Sequence, residues 1–263
     1  MREEPPAARP ALLLPDLSER RSGQRARLDR DETRHARALR LDDGAVVALV
    51  DGRGSRREGR LGPGTERERE VTVGESLPVP EPLPVELCVA VGNRTHALWL
   101  IEKAAEFGAV RIRLLETERS RSVADAGRSD AFREKAERRA LAAMKQSGGA
   151  WAPVVEPPLE LAEWLAGGGA RRGILLDPEG PALSAVLASW NGRDRLPVVT
   201  GPEGGLSARE RRACLEAGLR PARLASTILR FETAALAALA VAWQRRETAG
   251  SGAAVLTSDG GER

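Results

Sequence analysis

The residues with the densest chemical potential lie in Leu196-Pro-Val-Val-Thr-Gly-Pro-Glu-Gly-Gly-Leu-Ser-Ala-Arg-Glu210. An apolar run ends at Thr200 and enters Gly201-Pro202-Glu203-Gly204-Gly205, after which Ser207 and Glu210 have the spacing of a capping box that opens a helix. Glycines at 201, 204 and 205 permit positive φ and let a ligand approach the backbone closely, as in strand-to-helix loops that hold nucleotides at a sheet's carboxyl edge. The run has neither Gly-x-Gly-x-x-Gly nor the Lys-Ser/Thr ending of a P-loop, which disfavours dinucleotides and triphosphates. Taken alone, it reads more readily as a tight turn that needs glycine. A second segment, Leu224-Ala-Ser-Thr-Ile-Leu-Arg-Phe-Glu-Thr-Ala-Ala235, also passes from a short strand through a loop into a long helix, with Arg230 and Glu232 flanking the helix entry. From Ala234 to Trp243 that helix is apolar nearly all round, so it must be buried on more than one side, in part against another subunit.

The other reactive side chains offer less. His35 and His96 lack a carboxylate or thiol at ligand spacing, so no metal is expected. Cys88 and Cys214 are far apart and read as core filler in a reducing compartment. Trp99, Trp151, Trp164, Trp190 and Trp243 are scattered through helical and strand patterns and suit packing better than base stacking.

Two different modules must position these residues. Residues 46–50, 56–61 and 70–73 read as short strands joined by Gly-rich turns, a small β-rich module. Four prolines between Leu77 and Pro84 then forbid a regular helix and mark a boundary. Beyond it, apolar runs at 85–91, 110–115, 173–177 and 196–200, with weaker ones at 154–155 and 223–225, alternate with helical segments at 96–107, 130–146, 159–167, 182–190, 207–217 and 232–246. That alternation predicts an α/β domain whose parallel sheet is covered on both faces. Residues 248–263 are rich in Gly, Ser and Thr and read as a disordered tail.

Composition narrows the class. The 263 residues are 41% hydrophobic and 30% charged, as in ordinary globular chains, so collagenous, disordered and disulfide-scaffold proteins are set aside. Aromatics are 3% with no Tyr, leaving Leu, Val, Ile and Ala to build the core. No apolar run approaches the ~18–20 residues that span a bilayer, and the N-terminus alternates charge with proline, so a cytoplasmic protein with no membrane partner is expected. The net charge of +3 is mild, but residues 20–40 hold eight arginines against Asp29, Asp31 and Glu32. Residues 111–145 carry ten Lys/Arg against six Asp/Glu. Arginine in such clusters suits phosphate recognition, while coding bias and solvated helix faces account for it equally well.

The pair Gly201-Pro-Glu-Gly-Gly-Leu-Ser207 and Ile228-Leu-Arg-Phe-Glu-Thr-Ala234 resembles the signature of the ribosomal RNA small subunit methyltransferase E family, within the SPOUT methyltransferases. Glu102-Lys-Ala-Ala-Glu-Phe-Gly108, Glu118-Arg119-Ser120 and Ala143-Met-Lys-Gln-Ser-Gly148 are similar to further stretches of that family. His35 to Gly44, followed by Val50-Asp51-Gly52, is like its PUA-like RNA-binding barrel. The resemblance covers nearly the whole chain and implies a PUA-like barrel at 1–76, a linker at 77–84 and a methyltransferase domain with a trefoil knot at 85–247. It also implies a homodimer that methylates uracil N3 in 16S ribosomal RNA, free or in the small subunit, with S-adenosylmethionine as cofactor.

Carried over by position, cofactor contacts fall on Leu176, Asp177, Pro178, Thr200, Gly201, Glu203, Gly204, Gly205, Leu224, Ile228, Leu229 and Arg230. RNA contacts fall on Arg20, Arg21, Arg25, Arg34, Arg37, Arg40 and Arg119. Because the N3–H must lose its proton before nitrogen can attack, Glu203 is read as proton acceptor and Arg230 as stabiliser of the uracil oxyanion. Alternatively, Glu203 bonds loop amides and Arg230 pairs with Glu232 or clamps a phosphate. The chain departs from the family at Ala225, in place of glycine, at Thr227, in place of arginine, and at Phe231, in place of threonine. Gly92, followed by Asn93, stands where a basic residue is usual. A noncatalytic RNA-binding protein that keeps the knot, or methylation of a different RNA base, is the competing reading.

Overall fold

A computed structural model of the chain describes residues 9–120 and 130–255. These divide into two units: the chain through Glu81 joined by Leu141–Ala152, and Pro82–Ala140 joined by the chain from Pro153 onward. The division falls inside the proline-rich 77–84 segment.

The first unit contains β1 (Ala11–Leu13), a 3-10 turn at Leu17–Glu19, β2 (Arg25–Leu28), α1 (Arg30–Ala38), β3 (Val46–Val50), β4 (Arg56–Gly64) and β5 (Arg69–Ser76). Its sheet runs β1-β3-β4-β5-β2, with β1 parallel to β3 and the remaining pairs antiparallel. Alternation along β2 and β5 sends Ala26, Leu28, Val71 and Val73 into one core with Leu12, Leu17, Val47 and Leu49. The sequence reading found β3 to β5 but missed β1, β2 and α1. Helix α1 buries Glu32, Thr33 and Ala36, so it lacks an apolar stripe to read. Glu32 is held by the Leu13 amide at 3.0 Å and by Lys145. Lys145 belongs to this unit because Met144 and Ala150 pack with Ala11, Ala48 and Val50.

The second unit contains β6 (Leu83–Val89), α2 (Arg94–Glu106), β7 (Ala109–Glu116), the first part of α3 (Asp130–Gln146), β8 (Val154–Glu160), α4 (Leu161–Ala166) and β9 (Ile174–Leu176). It continues through α5 (Leu183–Val186), a 3-10 turn at Leu187–Ser189, β10 (Leu196–Thr200), α6 (Ala208–Glu216), β11 (Arg220–Ala222) and α7 (Phe231–Val255). Six parallel strands order as β11-β9-β10-β6-β7-β8. Every residue of β10 is buried, and β6 is nearly so, as expected of central strands covered on both faces. Helices α4 and α6 close one face over Cys88, Leu175 and Val199, while α2 and α7 pack on the other. Trp243 of α7 donates to the Phe107 carbonyl at the end of α2, at 2.5 Å.

Two readings of this unit need correction. The strand placed at 223–225 lies at Arg220–Ala222, where only three residues pair with β9. Helix α7 continues to Val255, so residues 248–255 are not the disordered tail that their composition suggested; residues 256–263 lie outside the described residues.

Candidate functional site

Because β9, β10 and β11 are parallel neighbours, the segments that leave their carboxyl ends emerge side by side. They are Asp177-Pro178, Gly201 to Leu206, and Arg223 to Arg230, and together with α2 they enclose a cleft of about 670 Å³. All twelve expected cofactor residues line it: Leu176, Asp177, Pro178, Thr200, Gly201, Glu203, Gly204, Gly205, Leu224, Ile228, Leu229 and Arg230. The departures Ala225, Thr227 and Phe231 line it too. Its size and apolar lining with a few polar groups are those of a small-molecule site.

The loops are pinned from several sides. Ser207 and Glu210 form the expected capping box, with the Glu210 amide donating to Ser207 Oγ at 3.2 Å and the Ser207 amide donating to Glu210 Oε2 at 2.8 Å. The other Glu210 oxygen accepts the Glu118 amide at 2.9 Å, fastening the loop after β7 to the start of α6. Arg119 donates to the Gly204 carbonyl, so this residue, expected on RNA, holds the cleft loop. Gly205 has φ +68°, and a Cβ added there would meet no protein atom within 4 Å. The left-handed backbone, and not crowding, makes glycine necessary at that position. Asp177, 6% exposed, accepts from the Glu179 amide at 2.9 Å and from Arg211 Nε at 2.6 Å. That hydrogen bond raises the Arg211 pKa, keeping a fixed positive charge in the cleft wall.

Glu203 and Arg230 share this cleft. Glu203 Oε2 accepts the Gly92 amide at 3.1 Å, which is the loop-amide role allowed for it above. A Cβ on Gly92 would lie 2.5 Å from that oxygen, so a side chain there would oblige the flexible Glu203 carboxylate to shift. Arg230 is exposed and, among the described residues, has no carboxylate within 4.0 Å; its pairing with Glu232 is not formed. His96, Arg211 and Arg223 are cleft residues that the sequence reading missed. Arg211 directly follows the capping-box glutamate and was findable from that position. His96 was weighed only as a metal ligand. Among the described residues no His, Cys, Asp and Glu cluster could hold a metal ion.

The amino-terminal arginines are largely engaged with carboxylates. Arg20 bonds Asp16 at 2.9 Å, Arg27 bonds Glu68 at 3.0 Å and Arg34 bonds Asp31 at 2.9 Å. Arg25 faces Glu70 at 3.8 Å and Arg37 faces Glu66 at 3.5 Å. Among the described residues, Arg21, Arg30 and Arg40 have no such partner and present free guanidinium groups.

Comparison with known proteins agrees with this architecture. Residues 79–243 match the RNA methyltransferase domain family. The chain is 30% identical over 211 residues to ribosomal RNA small subunit methyltransferase E of Synechocystis, covering 78% of this chain and 67% of that protein. A ribosomal RNA small subunit methyltransferase E from Neisseria gonorrhoeae, solved bound to S-adenosyl methionine, superposes with TM-score 0.79 at 24% identity, over 90% of this chain and 97% of that one. A probable rRNA-methyltransferase from Porphyromonas gingivalis superposes with TM-score 0.74 at 27% identity, over 91% and 99%. The parallel six-stranded unit with its carboxyl-edge cleft is thus the fold of these enzymes, and the chain belongs to the ribosomal RNA small subunit methyltransferase E family of RNA methyltransferases.

Proposed function

We propose that this chain transfers a methyl group from S-adenosylmethionine to N3 of a uracil in 16S ribosomal RNA, working as a homodimer. The observation that carries the reading is the convergence of all twelve expected cofactor residues on one cleft of about 670 Å³. The cleft suits the cofactor chemically. Leu176, Pro178, Leu224, Ile228 and Leu229 offer apolar contact to an adenine, and the open space above the Gly205 backbone admits close approach of a ligand.

When bound, S-adenosylmethionine supplies an activated methyl on a sulfonium. The protein has to position the target nitrogen in line with it, exclude water and manage the N3 proton. Arg230, free of any carboxylate, is available to stabilise negative charge on the uracil oxygens. N3 lies on the Watson–Crick edge, so the base must be unpaired or flipped into the cleft.

The β-rich unit is read as a PUA-like barrel that grips RNA through Arg21, Arg30 and Arg40, with the paired arginines contributing less. The strand order, with β10 between β9 and β6, is compatible with a trefoil knot in the segments that follow. The homodimer reading draws on Ile228, 89% exposed beside the cleft, and on the half-buried Leu236, Ala237, Ala240 and Val241 of α7. Among the described residues no helix is long and apolar enough to cross a membrane, and the enzyme is read as cytoplasmic. Mass mapping of ribosomal RNA from cells with and without this protein tests the reading. A 14-dalton loss at one uridine is expected in its absence, one methylene by composition; an unchanged map together with no calorimetric S-adenosylmethionine binding would overturn it.

A further inference from the structure

We propose that His96 is the group that takes the N3 proton, with Glu203 orienting its imidazole instead of acting as the base itself. The inference rests on the reading of the cleft as a uracil-N3 methylation site. The carboxylate of Glu203 is turned to protein donors: Oε2 accepts the Gly92 amide at 3.1 Å, and Oε1 faces His96 Nδ1 at 3.9 Å. Nδ1 is sealed from solvent and has no hydrogen-bond partner, although the His96 side chain as a whole is 43% exposed. The exposed part of the ring therefore lies away from Nδ1, on a residue that lines the cleft.

This arrangement is a carboxylate–imidazole pair at the spacing from which such contacts close when a ligand arrives. A proton on Nδ1 directed at Glu203 leaves the Nε2 lone pair free to accept one. The pair depends on Gly92, because a side chain there would displace the carboxylate from its position beside the ring. Phe231, whose ring centroid lies 6.2 Å from that of His96, forms a further neighbour of the imidazole.

Written out, the N3–H bond breaks with its proton passing to His96 Nε2. The electron pair left on N3 forms the bond to the methyl carbon. The carbon–sulfur bond breaks with its pair going to sulfur, whose positive charge is lost, and the imidazolium later returns its proton to water. The other charged groups of the cleft are Asp177 and Arg211, which neutralise each other, with Arg223, Arg230 and Glu232. Glu203 is the carboxylate within 4.0 Å of the imidazole among the described residues.

The test uses the full-length protein, small ribosomal subunits from cells lacking it, and methyl-labelled S-adenosylmethionine under single-turnover conditions. His96→Gln is expected to lower the rate about 100-fold near neutrality, with recovery as rising pH ionises the uracil unaided. His96→Ala is expected to regain activity with added imidazole, which a purely structural role would not allow. A readout independent of activity comes from heteronuclear NMR of the imidazole nitrogens, which reports the tautomer; the chain has only two histidines and His35 serves as an internal reference. In the wild type the neutral His96 ring should carry its proton on Nδ1, facing Glu203, and Glu203→Ala should abolish that preference for the Nδ1–H tautomer. A wild-type rate and pH profile in His96→Gln, or an unchanged His96 tautomer in Glu203→Ala, overturns the proposal. If the wild-type protein methylates no uracil N3, the underlying reading fails and takes the proton-acceptor role with it; wild-type methylation alongside an unaffected His96→Gln defeats the role alone.

Discussion

Glu210 is the residue through which loop order and cofactor affinity can be separated. Substitution by alanine removes two acceptors at once: the bond from the Ser207 amide at 2.8 Å, and the bond from the Glu118 amide at 2.9 Å that ties in the loop after β7. The lost cap contributes about 1 kcal/mol. The Glu118 bond is solvent-exposed, so water replaces it and its loss adds at most about 1 kcal/mol. A total of about 1–2 kcal/mol should lower the thermal midpoint by roughly 2–8 °C in a unit of this size. Ser207→Ala provides the reference, since it removes the Ser207 Oγ acceptor but leaves Glu118 fastened. It should cost about 1 kcal/mol and leave S-adenosylmethionine affinity unchanged. Glu210→Ala should in addition weaken calorimetric binding several-fold, because Glu118 and Arg119 hold the Gly204 wall of the cleft. Equal stability loss and equal affinity in the two variants would show that the cross-loop bond does nothing for the cleft.

Three further outcomes are expected. Gly205→Val should abolish calorimetric S-adenosylmethionine binding, because it puts bulk into the cleft, and should lower stability by about 1–2 kcal/mol through the strained backbone at φ +68° while leaving the protein folded, since the added Cβ touches no protein atom; retained binding would remove this loop from the cofactor site. Burial pushes the Cys214 thiol up to about 12 and the Cys88 thiol well above its ordinary value, so both should resist alkylation at neutral pH until the protein is unfolded, and rapid labelling of the native protein by mass spectrometry would contradict the packing around them. Replacing Arg21, Arg30 and Arg40 together by glutamine should flatten the log-affinity against log-salt slope for RNA by about 2, whereas an unchanged slope would move the RNA grip elsewhere.

What could be read from the sequence follows a physical pattern. Strands β3 and β10 are legible to the residue because a buried strand is a continuous apolar run, and α6 is legible from its capping box, which is a local device. Helix α1 is not, because the residue that anchors its buried face is Glu32, whose partners Leu13 and Lys145 are distant in sequence. The same holds for the cleft. Its glycine loops and Arg230 announce themselves, while His96 acquires meaning only when Gly92 lets Glu203 cross from another loop to stand beside it. The arginine cluster shows the converse error: charge counted along the chain overstated what is available to a phosphate, since four of the expected contacts face carboxylates. Those four are Arg20, Arg25, Arg34 and Arg37; Arg27, which was not among the expected contacts, also faces a carboxylate, and Arg119 is committed to a backbone carbonyl.

The six-stranded sheet ends at β11 on one side and β8 on the other, and both borders carry proline: Pro221 in the first, Pro157 and Pro158 in the second. Proline has no amide hydrogen to offer, so each border is a poor template for a further strand. A fully parallel sheet is slow to form and exposes its margins while it does so, and these residues guard against runaway stacking of half-folded chains. They also dictate the geometry of assembly. Two copies of this unit do not join by extending one six-stranded sheet into the next, so an association between these units is made through their helices and loops.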